Sequence, residues 1–128
     1  MIYIDSSVAL AHLLAEPRSP PATLWREALV SSQLLEYEIW NRVNALGQRG
    51  ALGDDVRSLL DRTYLNEMSP AVLVRALAPW PTPIRTLDAL HLATLQYLGR
   101  NGEAIELATY DNRMAVAARA LGIATAAL

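Results

Sequence analysis

The sequence predicts an α/β protein: a mostly parallel central sheet with helices on both faces. Three observations predict it. Short β-forming runs, Ile2-Tyr3-Ile4 and Ile105-Glu106-Leu107-Ala108-Thr109, alternate with helical segments along the whole length. Each of these runs leads into an aspartate, Asp5 or Asp111, that stands just ahead of a helical segment. No repeat, low-complexity tract or linker interrupts the pattern, so residues 1–128 read as a single domain. A chain of this length buries about two-thirds of its unfolded surface on folding.

The elements follow in order. Ile2, Tyr3 and Ile4 are uncharged β-formers and predict a strand buried on both faces. Ser6 or Ser7 then caps the apolar run Val8-Ala9-Leu10-Ala11 as a helix. Pro17, Pro20 and Pro21 mark a loop, Thr23 to Glu27 a helical turn or two, and Leu29-Val30-Ser31 a very short strand. Ser32 is placed to cap a helix over residues 33–48, with Leu35, Ile39, Val43 and Leu46 on one buried stripe. Gly47 and Gly50 end that helix. Gly53-Asp54-Asp55 opens the next, which carries Val56, Leu59, Leu60 and Tyr64, and residues 66–69 suggest a short edge strand. Ser69-Pro70 caps a helix over residues 71–77, with proline at its first position. The run Ala78-Pro79-Trp80-Pro81-Thr82-Pro83 is an extended loop. Thr86-Leu87-Asp88 starts a central helix over residues 89–98, broken by Gly99 and Gly102. A last helix over residues 112–121 stops at Gly122, and Ile123-Ala124-Thr125 predicts a final strand.

Composition narrows the function. Apolar residues make up 52% of the chain, as in a globular protein. No uncharged apolar run nears the roughly 20 residues that span a bilayer. The N-terminus lacks the basic start of a signal peptide, so a soluble cytoplasmic protein is the expectation. The absence of cysteine excludes disulfides, thiolate metal sites and cysteine nucleophiles. A net charge of −2 argues against purely electrostatic clamping of nucleic acid. All 11 basic residues are nevertheless arginine, which holds phosphate bidentately.

The acids carry the chemistry. In a parallel sheet all strand carboxyl ends share one edge, where α/β proteins place their ligands, so Asp5 and Asp111 share that edge. Asp88 lies in the first turn of the central helix. Three converging carboxylates are hard oxygen ligands suited to Mg²⁺ or Mn²⁺. The alternative is that each acid merely caps its helix, where the helix dipole favours negative charge. Glu36 and Glu38 flank the buried stripe on opposite shoulders, and periodicity does not choose between them. Glu38 also has Arg42 four residues on, which permits a surface ion pair. Asp54, Asp55 and Asp61 share a polar face with Arg57 and Arg62 and read as solvated charge. His91, one turn after Asp88, reads as packing beside or orienting that acid; His12 has no partner in view. There is no serine-elbow motif, Gly-rich phosphate loop or zinc-spaced His pair.

Four stretches together resemble the PIN-domain family, and within it the VapC-type toxins of bacterial toxin–antitoxin pairs. They are Ile4-Asp5-Ser6-Ser7, Ser32-Gln33-Leu34-Leu35-Glu36-Tyr37-Glu38, Thr86-Leu87-Asp88-Ala89-Leu90-His91-Leu92-Ala93 and Thr109-Tyr110-Asp111-Asn112-Arg113-Met114. The resemblance covers the whole chain in order, and Asp88 to Ala93 is its most specific piece. It implies a three-layer PIN-like sandwich. Matching Ser32 and Leu34 to the family motif selects Glu38 over Glu36, which makes Asp5, Glu38, Asp88 and Asp111 the implied acidic quartet. Asp111 is the member for which contact through water is an alternative to direct ligation. Ser6 and Thr109 are the implied supporting hydroxyls, with Ser7 the alternative to Ser6. The implied activity is Mg²⁺- or Mn²⁺-dependent hydrolysis of RNA, leaving a 5′-phosphate and a 3′-hydroxyl. The implied partners are an RNA substrate, a second copy of the chain, and an antitoxin whose C-terminal segment lies over the acidic pocket. Trp40, Trp80 and the Pro-rich loop are candidates for those surfaces, and Arg42, Arg85 and Arg113 for holding flanking phosphates.

Two other classes compete. One is a DNA nuclease or a phosphatase on a related sheet, although a phosphatase needs a second Asp where this chain has Ser7. The other is a receiver-like binding module, which needs a lysine opposite the acids, and the chain has none.

Overall fold

The computed structural model describes residues 1–128. Four strands, β1 (Ile2–Ile4), β2 (Leu29–Ser32), β3 (Thr63–Asn66) and β4 (Glu106–Ala108), form an all-parallel sheet of order β3-β2-β1-β4. Six helices accompany them: α1 (Ser6–Leu13), α2 (Leu34–Ala45), α3 (Arg49–Asp61), α4 (Pro70–Leu77), α5 (Thr86–Leu98) and α6 (Asn112–Ala120). A 3-10 turn at Ala22–Arg26 precedes β2.

The strand period of two divides the core. Ile2, Ile4, Leu29 and Ala108 face α1, α2 and α3, where Val8, Leu35, Ile39, Val43 and Val56 are fully buried. Tyr3, Val30 and Leu107 point the other way, onto Leu92 and Leu95 of α5 and Met114, Ala117 and Ala118 of α6. Helix α4 packs on the outside of α5. Both faces of β1 are covered, as expected for a run with no polar residue until Asp5. The result is the three-layer sandwich that the resemblance implied.

Several boundaries differ from the sequence expectation. Asp5, not Ser6 or Ser7, caps α1, because its carboxylate reaches the Val8 backbone N–H. Ser32 closes β2 instead of capping α2; its hydroxyl accepts from the Leu34 N–H, and the cap position falls to Gln33. Helix α2 stops at Ala45, where Gly47 turns through φ +67°. Leu46 therefore leaves the buried stripe and is exposed. Gly50 and Gly53 do not punctuate the chain: α3 runs from Arg49 through both, and Arg57 folds back over Gly53. Tyr64 sits in β3, on the exposed side, because the edge strand is Thr63–Asn66 and lies three residues earlier than expected. Residues 123–125 make a single parallel bridge, Thr125 to Leu107, with no strand. Ser69 and Pro70 do open α4 as expected, and α5 begins at Thr86. No helix is long and apolar enough to cross a membrane.

Candidate active site

The carboxyl ends of β1 and β4, adjacent in the sheet, bring Asp5 and the 109–111 segment together. Asp5 is 4% exposed, and its carboxylate is held at every turn. Ser7 Oγ donates to Oδ1 at 2.6 Å and the Val8 N–H to the same oxygen at 3.1 Å. Thr109 Oγ1 donates to Oδ2 at 2.5 Å. The two hydroxyls also tie the neighbouring loop down: Ser7 Oγ accepts from the Tyr110 N–H and Thr109 Oγ1 from the Asp111 N–H. Burial pushes the Asp5 carboxyl above its ordinary value, and the hydrogen bonds from Ser7, Thr109 and Val8 pull in the opposite direction.

Asp111 caps α6, accepting from the Arg113 and Met114 N–H groups through Oδ1. Asp88 stands in the first turn of α5, where Arg85 is the cap. Its Oδ2 is buried and without a hydrogen-bond partner. Burial raises the Asp88 carboxyl, and the charges of Asp111 and Asp5 raise it further; the Arg85 N–H and His91 oppose them. Asp88 therefore feels the charge of both other acids, a condition that a divalent cation relieves.

Glu38 approaches from α2. Ser6 Oγ donates to its Oε2 at 3.0 Å, and His91 Nε2 lies 2.5 Å from its Oε1. Arg42 is not its partner, and Glu36, on the other shoulder of α2, takes no part in this network. No three acidic or imidazole side chains converge closely enough to enclose an ion among themselves. The acidic residues of the sequence expectation thus share one edge without forming a closed cage. Ser6 and Ser7 divide the supporting role, one on Glu38 and the other on Asp5.

One contributor, Tyr3, escaped the sequence reading, and with it half the role of His91. His91 acts on Asp88 as expected, and its ring also bridges Glu38 to Tyr3, whose hydroxyl is 2.7 Å from His91 Nδ1. Tyr3 is fully buried, and burial drives its phenol far above the ordinary range. The Ser32 N–H donates to the Tyr3 oxygen, so the phenol proton is free to go to His91 Nδ1. An imidazole with one proton then carries it on Nε2, facing Glu38. The signal was present: a tyrosine between two isoleucines in a buried strand needs a partner for its hydroxyl.

The tryptophans offered as interface candidates are engaged within the fold. Arg49 and Arg57 lie over Trp40, and Arg75 lies over Trp80, whose indole N–H donates to the Ala76 carbonyl.

Comparison with known proteins identifies the family. A family model described as the PIN domain matches residues 2–120, which includes every acid discussed above. Ribonuclease VapC35 of Mycobacterium tuberculosis is 33% identical over 134 aligned positions, covering 99% of this chain and 96% of the relative. Ribonuclease VapC46 of the same organism is 36% identical, with 98% and 96% covered, and Ribonuclease VapC47 is 31% identical with the same coverage. A parallel sheet with acids gathered at its carboxyl edge, matched along nearly its whole length by these relatives, makes this chain a member of the PIN-domain family, among its VapC-type proteins.

Proposed function

We propose that the chain is an endoribonuclease that hydrolyses phosphodiester bonds with Mg²⁺ or Mn²⁺ and acts as the toxin of a toxin–antitoxin pair. One observation carries the metal site: the buried, unpartnered Oδ2 of Asp88 beside Asp111 and Asp5. Helix capping explains Asp5 and Asp111 in part, but Asp88 is no cap, and an orphaned carboxylate oxygen costs about 1–3 kcal/mol unless something else meets it. Asp5, Asp88, Asp111 and Glu38 are hard oxygen donors without a thiolate or lysine among them, and in donor chemistry they suit such a cation.

A metal held by Asp5, Asp88, Asp111 and Glu38 would supply an activated water and offset charge on the phosphate oxygens. The chain's own groups do the rest. Ser7, Thr109 and the Val8 N–H fix Asp5 so that its carboxylate needs no reorganisation when substrate arrives. Thr109 sets the position of Asp111 through its backbone N–H. Ser6 and His91 hold Glu38 from two sides. A homodimer and an antitoxin covering the acidic edge belong to this reading, as does an RNA substrate recognised through its shape.

The test is cleavage of a structured RNA by the purified chain, with and without Mg²⁺ or Mn²⁺, beside Asp5→Asn and Asp88→Asn. Metal-dependent cutting by the wild type, abolished in folded variants, supports the reading. RNA left intact by wild type under all metals, or cut equally in chelator, removes it.

A further inference from the structure

Tyr3 lies in β1 with no part of it in contact with solvent. It pairs with Val30 on one side and Leu107 on the other, so both neighbouring strands fix its backbone. Its ring sits in the apolar layer with Leu92 and Leu107. A hydroxyl in such a place destabilises the fold unless it is hydrogen-bonded. The Tyr3 oxygen receives the Ser32 N–H at 3.1 Å and lies 2.7 Å from His91 Nδ1. The Ser31 and Thr94 hydroxyls also face the phenol, but they give their own protons to the Ile4 and Leu90 carbonyls. His91 Nδ1 is therefore the one basic acceptor in reach of the phenol proton, since an alcohol oxygen is a far weaker base than an imidazole nitrogen. His91 is 2% exposed, so bulk water does not compete for that nitrogen.

The far side of the ring faces Glu38, with Nε2 2.5 Å from Oε1. Ser6 Oγ donates to Oε2 at 3.0 Å, so each oxygen of Glu38 has its own partner. Glu38 belongs to α2 in one layer of the sandwich and His91 to α5 in the other. One line of hydrogen bonds thus runs through Ser32, Tyr3, His91, Glu38 and Ser6, joining β2, β1, α5, α2 and α1. A glutamate side chain is rich in rotamers, and ordering it costs entropy. A carboxylate already ordered by its partners loses less freedom when a cation binds.

We infer that Tyr3 is a positioning residue for the acidic edge, acting at two removes. Its phenol proton on Nδ1 leaves His91 with a single ring proton on Nε2, and that proton orients Glu38 for a divalent cation. The inference rests on the nuclease reading for its metal. It adds to that reading a core residue that touches none of the four acids.

The experiment first reads the His91 ring in the metal-free protein, by ¹⁵N chemical shifts above the ordinary imidazole value of about 6.5. The chain has two histidines, and His12→Gln removes the other signal. The expected wild-type ring is one tautomer, with the proton on Nε2 and Nδ1 accepting a hydrogen bond. In Tyr3→Phe, Nδ1 takes the shift of an unbonded nitrogen. Mn²⁺ affinity, titrated by calorimetry, falls about tenfold, the lower end for loss of a group behind a metal ligand. On a His91→Leu background, where the phenol has no nitrogen to reach, Tyr3→Phe leaves Mn²⁺ affinity nearly unchanged. A wild-type proton on Nδ1, or on both nitrogens, overturns the inference even if Tyr3→Phe does not fold. Unchanged Mn²⁺ affinity in Tyr3→Phe overturns it too, as does a loss of equal size on the His91→Leu background, which marks a packing role. A wild type that shows the expected tautomer but binds no Mn²⁺ removes the metal reading, and the positioning role with it.

Discussion

Asp5 accepts three hydrogen bonds while Asp88 Oδ2 accepts none, so the two acids respond differently to loss of charge. Asn at position 5 keeps an oxygen for Ser7 and Val8 and an amide for Thr109, so Asp5→Asn folds. Its cleavage rate is expected to fall about a hundredfold or more, given the several kcal/mol a metal site supplies. Asp88→Asn is equally silent but raises the melting temperature of the metal-free protein, because it deletes a charge that burial, Asp111 and Asp5 all oppose. The pH dependence follows from the same shifts. Folded Asp5 and Asp88 hold their protons above the ordinary value of 3.8, so the unfolded chain releases them first. Their contribution to stability is complete below that value and is lost as pH rises through the raised folded values. The melting-temperature gain from Mg²⁺ is therefore expected to grow as pH rises above the ordinary carboxylate range, because a cation offsets the acids once they ionise. A gain independent of pH would contradict it. His91 is a positioning residue for Glu38. His91→Leu is expected to weaken Mn²⁺ binding about 10- to 100-fold, measured by titration calorimetry. His91→Gln, whose amide still donates to Glu38, recovers part of it, which a purely packing role does not allow.

At the scale of elements, α5 is the hinge between core and site. Its Leu92 is fully buried against β1 and β4, while His91 and Asp88 lie on the side toward the acids. Leu92→Ala is expected to cost about 2–5 kcal/mol in denaturant unfolding, with loss of activity following loss of fold. Gly122 ends α6 at φ +75°, so Gly122→Ala costs about 1 kcal/mol there without touching RNA cleavage. The boundaries that sequence misplaced fall where glycine was taken as punctuation. Gly50 and Gly53 have helical neighbours on both sides, and the packing of Val56 and Leu59 on α1 and α2 overrides their weak helix preference. Thr125 failed to extend a strand because a single bridge to Leu107 leaves its neighbours without ladder partners.

For the whole molecule, the parallel sheet sets where everything functional can lie. All four strands run the same way, so one edge collects Asp5, Asp111 and the start of α5 while the opposite edge carries none of the four candidate acids. Mg²⁺ at a hundredfold excess over its Kd is expected to stabilise the fold by about 2.7 kcal/mol, several degrees in melting temperature. The Asp5→Asn/Asp88→Asn double variant loses that gain. Much of this was written in the order of residues. The alternation of strand and helix fixed the class, and β1 and β4 were legible because uncharged β-formers must be covered on both faces. Asp5 and Asp111 were visible as candidates because each follows such a strand, and connections in parallel sheets put their ends together. Glu38 was not legible from periodicity, since both shoulders of α2 carry a glutamate and only the family resemblance chose. Tertiary structure decided what chain order cannot encode. Residues 3, 38 and 91 meet only when α2 and α5 close over β1, and then the imidazole joins the buried phenol to the carboxylate by hydrogen bonds.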